Sequence, residues 1–103
     1  MEFDTFSRHK LSVVALIGND ACWSQIAREQ VATFKSSVAV GLKHTRYDNV
    51  GVALGARGEL IDSEEDLTKE RFEKIFASAT GGTSVVVNII IGKSNFRDGS
   101  ICV

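Results

Sequence analysis

Eight consecutive residues near the carboxyl end, Ser84 to Ile91, read SVVVNIII. The stretch holds no charge and no proline, and Asn88 alone interrupts its apolar run. β-Branched side chains pack well on a pleated surface and lose χ1 freedom in a helix, so this is the most strand-prone segment of the chain. Side chains alternate across a strand. Val85, Val87, Ile89 and Ile91 therefore share one face, with Val86 and Ile90 on the other. Both faces ask for burial, and the rest of the chain is read around that demand.

Upstream, Leu11 to Ile17 (LSVVALI) is a second apolar, β-branched run, stopped by Gly18-Asn19-Asp20. The period then changes. Trp23, Ile26, Ala27, Val31 and Phe34 recur at three- and four-residue spacing with polar residues between them, which predicts an amphipathic helix capped by Asn19 or Asp20. Val38 to His44 and Val50 to Ala56 each alternate between larger and smaller side chains, separated by the turn residues Arg46-Tyr47-Asp48-Asn49, and read as a β-hairpin. Arg57 to Asp62 reads as a loop. Ser63 with Asp66 opens a second helix with Leu67, Phe72, Ile75, Phe76 and Ala79 as its apolar stripe, stopped by Gly81-Gly82.

This β-α-β-β-α-β order predicts an α+β, ferredoxin-like sandwich: a four-stranded antiparallel sheet in the spatial order 4-1-3-2, with both helices on one face. Another small α+β layer fold, of the profilin or roadblock kind, would use the two ends of the chain as extra elements. The length of 103 residues suits a single domain, divided into an arm (residues 1–10, with Phe3 and Phe6), a core (11–91) and a polar tail (92–103).

In that topology the last strand lies at a sheet edge without the charge, proline or bulge that usually guards one. Self-association, most simply as a homodimer, is the economical way to cover it, with Val86, Asn88 and Ile90 at the interface. The alternative is that the arm or the tail folds back. One face of the hairpin carries only small residues (Ala39, Gly41, Gly51, Ala53 and Gly55), which asks for close approach by another element or by a flat ligand.

Chemistry is sparse. Hydrophobic residues make up 44% of the chain and charged ones 24%, with a net charge of −1, which excludes a disordered chain and a general polyanion binder. No apolar run reaches the roughly 20 residues of a membrane span, no secretory leader is visible, and two isolated cysteines make no disulfide framework, so a cytoplasmic setting is expected. Cys22 reads as a small buried hydrophobe and Cys102 as a tail residue. Two histidines supply no metal set, and no phosphate-binding glycine motif occurs, so no cofactor is expected. His44 with Asp48 offers the makings of a general base, without a marked nucleophile. Lys43, His44, Arg46 and Arg57 offer a modest basic rim for nucleic acid, although the two central strands lack the stacking aromatics of an RNA-recognition sheet.

Gly18, Asn19 and Asp20 lie between a strand and a helix, where backbone N–H groups often meet ligands, and form the candidate ligand site. With the preceding strand LSVVALI, the helix around Ile26 to Phe34 and the strand Val50 to Ala56, this turn resembles an ACT regulatory domain. That resemblance implies a small effector bound at the turn and pairing through the sheets. The family's usual proline-glycine helix opening is replaced by Ala21-Cys22-Trp23. The sequence thus predicts a non-enzymatic, homodimeric binding or regulatory module acting on a protein partner or small effector. A nucleic-acid-binding dimer is the first alternative, and a small enzyme using His44 and Asp48 the second.

Overall fold

The computed structural model describes residues 1–93. Its elements run α1 (Glu2–His9), β1 (Val14–Asn19), α2 (Ser24–Phe34), α3 (Tyr47–Ala53), β2 (Arg57–Ile61), α4 (Lys69–Thr80) and β3 (Val85–Ile90), with a 3-10 turn at Glu64–Asp66 before α4. The strands form one sheet in the order β1-β3-β2, and both pairings are parallel. Val85 stands opposite Val14 on one side and Arg57 on the other.

The SVVVNIII run is therefore the central strand. Parallel neighbours must be joined by crossovers that lay helices on the sheet, and a strand covered on both faces reads as a continuous apolar run. α4 covers one face. Its Ile75 joins Ile61, Val85 and Val87 in the buried core, with Val14, Phe72 and Ile89 packed around them. α3 covers the opposite face, where Val86 and Asn88 point. A Cβ on Gly51 would sit 2.5 Å from Val86 Cγ2, and one on Gly58 would sit 2.5 Å from the Asp48 carbonyl oxygen. Glycine at these two places is a matter of space, because it lets the α3 backbone lie directly on β2 and β3.

Several expectations are corrected here. The four-stranded antiparallel ferredoxin-like sandwich does not form; the sheet has three strands among the described residues, all parallel. Neither arm of the expected hairpin is a strand. Val50 to Ala53 lies in α3, and residues 38–44 make turns with one isolated antiparallel bridge, Cys22 to Gly41. A large–small alternation over seven residues also fits a short helix, and here the glycine that weakens a strand allows a helix to approach the sheet. Arg57 to Ile61, read as a loop, forms β2 because it gains a full ladder against β3. With β3 central, the premise of an exposed edge falls: Val86 and Asn88 are buried and Ile90 is half-buried.

The helices were more legible than their surroundings. α2 forms where its periodicity places it, yet no residue of it is buried, and Trp23 and Phe34 stand 57% and 73% exposed. Neither Asn19 nor Asp20 is its N-cap, a position taken by Trp23. α4 starts later than expected. Thr68 is its N-cap, accepting from the Arg71 N–H at 3.3 Å, while Ser63 and Asp66 flank the 3-10 turn. Gly81 ends it, and Gly82 takes the left-handed conformation with φ 94°. The expected arm is helical as α1, where the Phe3 and Phe6 rings pack edge to face at 5.4 Å. Most of the expected tail, with Cys102, lies outside the described residues.

Candidate functional site

The carboxyl ends of parallel strands are where open α/β sheets take their ligands. At that end of β1 the chain makes a tight turn. Asn19 is the last strand residue, and Ala21 follows in the left-handed region with φ 53°. That conformation costs a non-glycine residue roughly 1–2 kcal/mol and persists only where the surroundings over-determine it. They do so here. The Ala21 N–H donates to Asn19 Oδ1 at 3.2 Å, and the Ala21 carbonyl accepts from the Leu42 N–H at 2.7 Å. The Trp23 N–H donates to the Val40 carbonyl at 2.9 Å. Asp20 folds back in the same way, its Oδ1 accepting from the Cys22 N–H at 3.1 Å and its Oδ2 from the Ser24 hydroxyl.

Beneath the turn lies a buried polar cluster. Asn19, Asp48 and Asn88 are 5%, 3% and 0% exposed. Such groups are tolerated inside a protein only when hydrogen-bonded. Asn19 Nδ2 donates to Asn88 Oδ1 at 3.1 Å and to the Thr45 carbonyl at 3.0 Å. Asn88 Nδ2 donates to the same carbonyl at 3.1 Å and to Asp48 Oδ1 at 3.2 Å. Among the described residues no buried side-chain polar atom is left without a partner. Arg46 closes the cluster on its solvent side, with Nη2 2.6 Å from Asp48 Oδ2 and Nε 3.0 Å from Oδ1. This fork holds the Asp48 carboxyl below the usual carboxylate range. Burial pushes the other way and is outweighed, with the Asn88 amide adding to the lowering. Asp48 in turn raises the Arg46 guanidinium above its ordinary value.

Gly18, Asn19 and Asp20 thus stand together at one turn. The expected basic rim does not stand together. Arg46 is engaged by Asp48, and Arg57 opens β2 at the opposite, amino end of the sheet, where it pairs with Glu59 and donates to the Ser78 hydroxyl at 2.6 Å. Lys43 and His44 are exposed. The Asp48 carboxylate is taken by Arg46 and Asn88 rather than by His44. Asn88 is the residue whose role the sequence reading missed. A lone asparagine inside an apolar strand signals a buried polar group that needs partners, a better clue than the edge interface it was assigned to.

Two further features frame the site. The turn runs into a groove of about 740 Å³ along α2, lined among others by Cys22, Trp23, Ile26 and Phe34. No helix among the described residues is long and apolar enough to cross a membrane, and those residues hold no cluster of three His, Cys, Asp or Glu side chains able to bind a metal.

Known proteins place this geometry. The chain is 55% identical to 2-hydroxyacyl-CoA lyase 2 of Caenorhabditis elegans over 105 residues, covering 100% of the chain and 16% of that protein. It is 51% identical to 2-hydroxyacyl-CoA lyase 2 of Homo sapiens, covering 100% of the chain and 16% of that protein. A probable acetolactate synthase of Mycobacterium bovis is 39% identical over 95 residues, covering 91% of the chain and 17% of that protein. The chain therefore spans 16–17% of the length of these relatives. The ACT-like resemblance, carried by the order of elements and the strand-turn-helix start at Gly18-Asn19-Asp20, is overturned: Val50 to Ala53 lies in α3 and the relatives are of another kind. The non-enzymatic regulatory module goes with it, because the relatives carry the names of enzymes and the matching family is one of enzyme domains. Residues 1–89 match the family of the thiamine pyrophosphate enzyme C-terminal TPP binding domain, and the chain belongs to that family.

Proposed function

We propose that the turn Gly18-Asn19-Asp20 forms part of a thiamine pyrophosphate site, in an enzyme that acts on 2-hydroxyacyl-CoA thioesters as the names of the nematode and human relatives state. The observation that carries this is Asn19, buried at the carboxyl end of β1 with its Oδ1 directed to the Asp20-Ala21 turn.

The donor set fits the diphosphate end of the cofactor in one particular way. The N–H groups of Ala21, Cys22 and Trp23 are already engaged, so they offer no cradle to a bare phosphate. The turn instead presents hard oxygens, the Asn19 amide oxygen and the Asp20 carboxylate. Those suit a magnesium ion, which is commonly held by one or two protein oxygens together with phosphate oxygens. When bound, thiamine pyrophosphate supplies the carbanion-stabilising chemistry needed to make or break a carbon–carbon bond beside a carbonyl. The chain's own residues do the holding. Asn19 is fixed from below by Asn88 and Thr45, and Asp20 is held ahead of α2 by the Cys22 N–H and the Ser24 hydroxyl.

Self-association is retained as part of this proposal, on a different surface. β3 is central, whereas the apolar side of α2, with Trp23, Ile26, Val31 and Phe34 each more than 40% exposed, suits a protein contact.

The test is calorimetric titration of the full-length protein with thiamine pyrophosphate in the presence and absence of Mg²⁺, followed by a turnover assay with a 2-hydroxyacyl-CoA. Mg²⁺-dependent binding that is lost in Asn19→Ala supports the site. No binding to the wild-type protein sinks it. Binding without turnover of the thioester moves the substrate assignment toward that of the acetolactate synthase relative.

A further inference from the structure

A carboxamide has two chemically opposite ends, and only its oxygen ligates a cation. What decides which end of Asn19 faces the turn is therefore a functional question, and it rests on the cofactor reading above. We propose that Asn88 is a positioning residue for Asn19, and that Asp48 sets the direction in which Asn88 itself points.

The argument runs outward from the charge. The Asp48 carboxylate only accepts, and Arg46 holds it in place with two of its nitrogens. Asn88 must therefore turn its NH₂ toward Asp48, and both N–H groups are spent, one on Asp48 Oδ1 at 3.2 Å and one on the Thr45 carbonyl at 3.1 Å. That leaves Asn88 Oδ1 facing Asn19. Asn19 must turn its own NH₂ inward, toward Asn88 Oδ1 at 3.1 Å and the Thr45 carbonyl at 3.0 Å. Rotating either amide by half a turn would set oxygen against oxygen in a site that water does not reach, where Asn88 is 0% exposed. All four amide N–H groups are committed to the interior. One acceptor remains toward the turn, Asn19 Oδ1, which takes the Ala21 N–H with one lone pair and keeps the other. A charge placed in α3 thus selects the atom presented at the end of β1.

The test uses the full-length protein, with Mg²⁺ titrated at saturating thiamine pyrophosphate and binding followed by calorimetry. Asn88→Leu keeps the branched outline but removes the acceptor for Asn19, and is expected to raise the Mg²⁺ half-saturation by about 10–100-fold, the range for residues that orient a metal ligand. Excess Mg²⁺ restores cofactor binding to the variant, which damage to the fold would not allow. Asn88→Ser is the second variant should Asn88→Leu fail to fold, with a shift of at least about fivefold in the same direction. An unchanged Mg²⁺ constant in either folded variant, or weakened binding that Mg²⁺ does not rescue, overturns the inference while leaving the cofactor reading intact. If the wild-type protein binds no thiamine pyrophosphate at any Mg²⁺ concentration, the cofactor reading falls and the positioning role with it.

Discussion

Asn19 Nδ2 donates to Asn88 Oδ1 across 3.1 Å, joining residues 69 positions apart in the chain. The bond ties the carboxyl end of β1 to the middle strand directly beneath the proposed cofactor turn. The Thr45 carbonyl, just before α3, accepts from both amides, and Asp48, within α3, accepts from Asn88. The site is thus assembled from three separate stretches, and its fixity follows from burial and saturation of every donor.

The Asp48 cluster gives a pH signature. Arg46 and Asn88 hold the Asp48 carboxyl below its usual range, so the folded state prefers the ionised form more than the unfolded chain does. Stability from this group is fully present above the unfolded value of about 3.9 and is lost as pH falls through the lower folded value. Asp48→Asn should therefore lower the melting temperature by a constant amount above about pH 5, with the gap to wild type narrowing below about pH 4. Parallel melting curves down to the lowest pH would show that Asp48 is not the group responsible.

Close approach of α3 to β3 gives a packing signature. A methyl group at position 51 would meet Val86 Cγ2 at 2.5 Å and Val86 Cβ at 2.8 Å, too close for either to remain in place. Gly51→Ala should cost about 1–3 kcal/mol, the usual range for overpacking, even though alanine favours a helix. Combining it with Val86→Ala should recover part of that loss, a coupling that a double-mutant cycle in urea measures. Additive costs would mean that the two residues do not touch.

The same contact shows what the sequence disclosed and what it hid. Glycine and alanine alternating with valine around position 51 was read as one face of a hairpin that something approaches closely. Close approach is real at Gly51, but the approaching partners are a helix and a strand of the same chain. Local pattern leaves a seven-residue segment undecided between helix and strand, and tertiary packing decides it. SVVVNIII was legible as a strand buried on both faces, and that is the mark of a central parallel strand. The error lay in assigning the second face to another molecule, which followed from pairing Val38–His44 with Val50–Ala56 and so pushing β3 to an edge. Gly18, Asn19 and Asp20 were legible as a junction of strand, turn and helix, which the chain forms there. Asn88 was legible only as a polar residue inside an apolar strand, and its partners were not, since a hydrogen bond between strands leaves no trace in local spacing.

Register along α4 is testable through neighbouring residues. Ile75 is 0% exposed within the core, while Phe76, one residue on, is 53% exposed. Ile75→Ala should destabilise by about 2–5 kcal/mol through lost burial and the cavity left behind. Phe76→Ala, although it removes more atoms, should cost less than Ile75→Ala, because much of the ring is already in water. Denaturant midpoints for the two variants give the order directly, and a larger loss at Phe76 would mean that the helix is rotated about its axis from the position described.

The left-handed Ala21 poses the sharpest trade between two opposing effects. Placing an alanine at φ 53° costs roughly 1–2 kcal/mol relative to glycine in the same conformation. Glycine, in turn, gives the unfolded chain extra freedom worth about 0.4–1 kcal/mol. The first effect is larger at its midpoint, so Ala21→Gly should stabilise the protein by about 0.5–1 kcal/mol. The bonds that frame the turn use only the Ala21 backbone, donating to Asn19 Oδ1 and accepting from the Leu42 N–H, and they survive the change. Cofactor affinity should therefore remain within about twofold of wild type, less than a 1.4 kcal/mol tenfold step. Urea unfolding with a calorimetric binding measurement on the same sample checks both halves. A destabilised variant would mean that unfolded-state freedom outweighs the relieved strain. A stabilised variant with much weaker binding would mean that the strain itself holds Asn19 in its binding geometry.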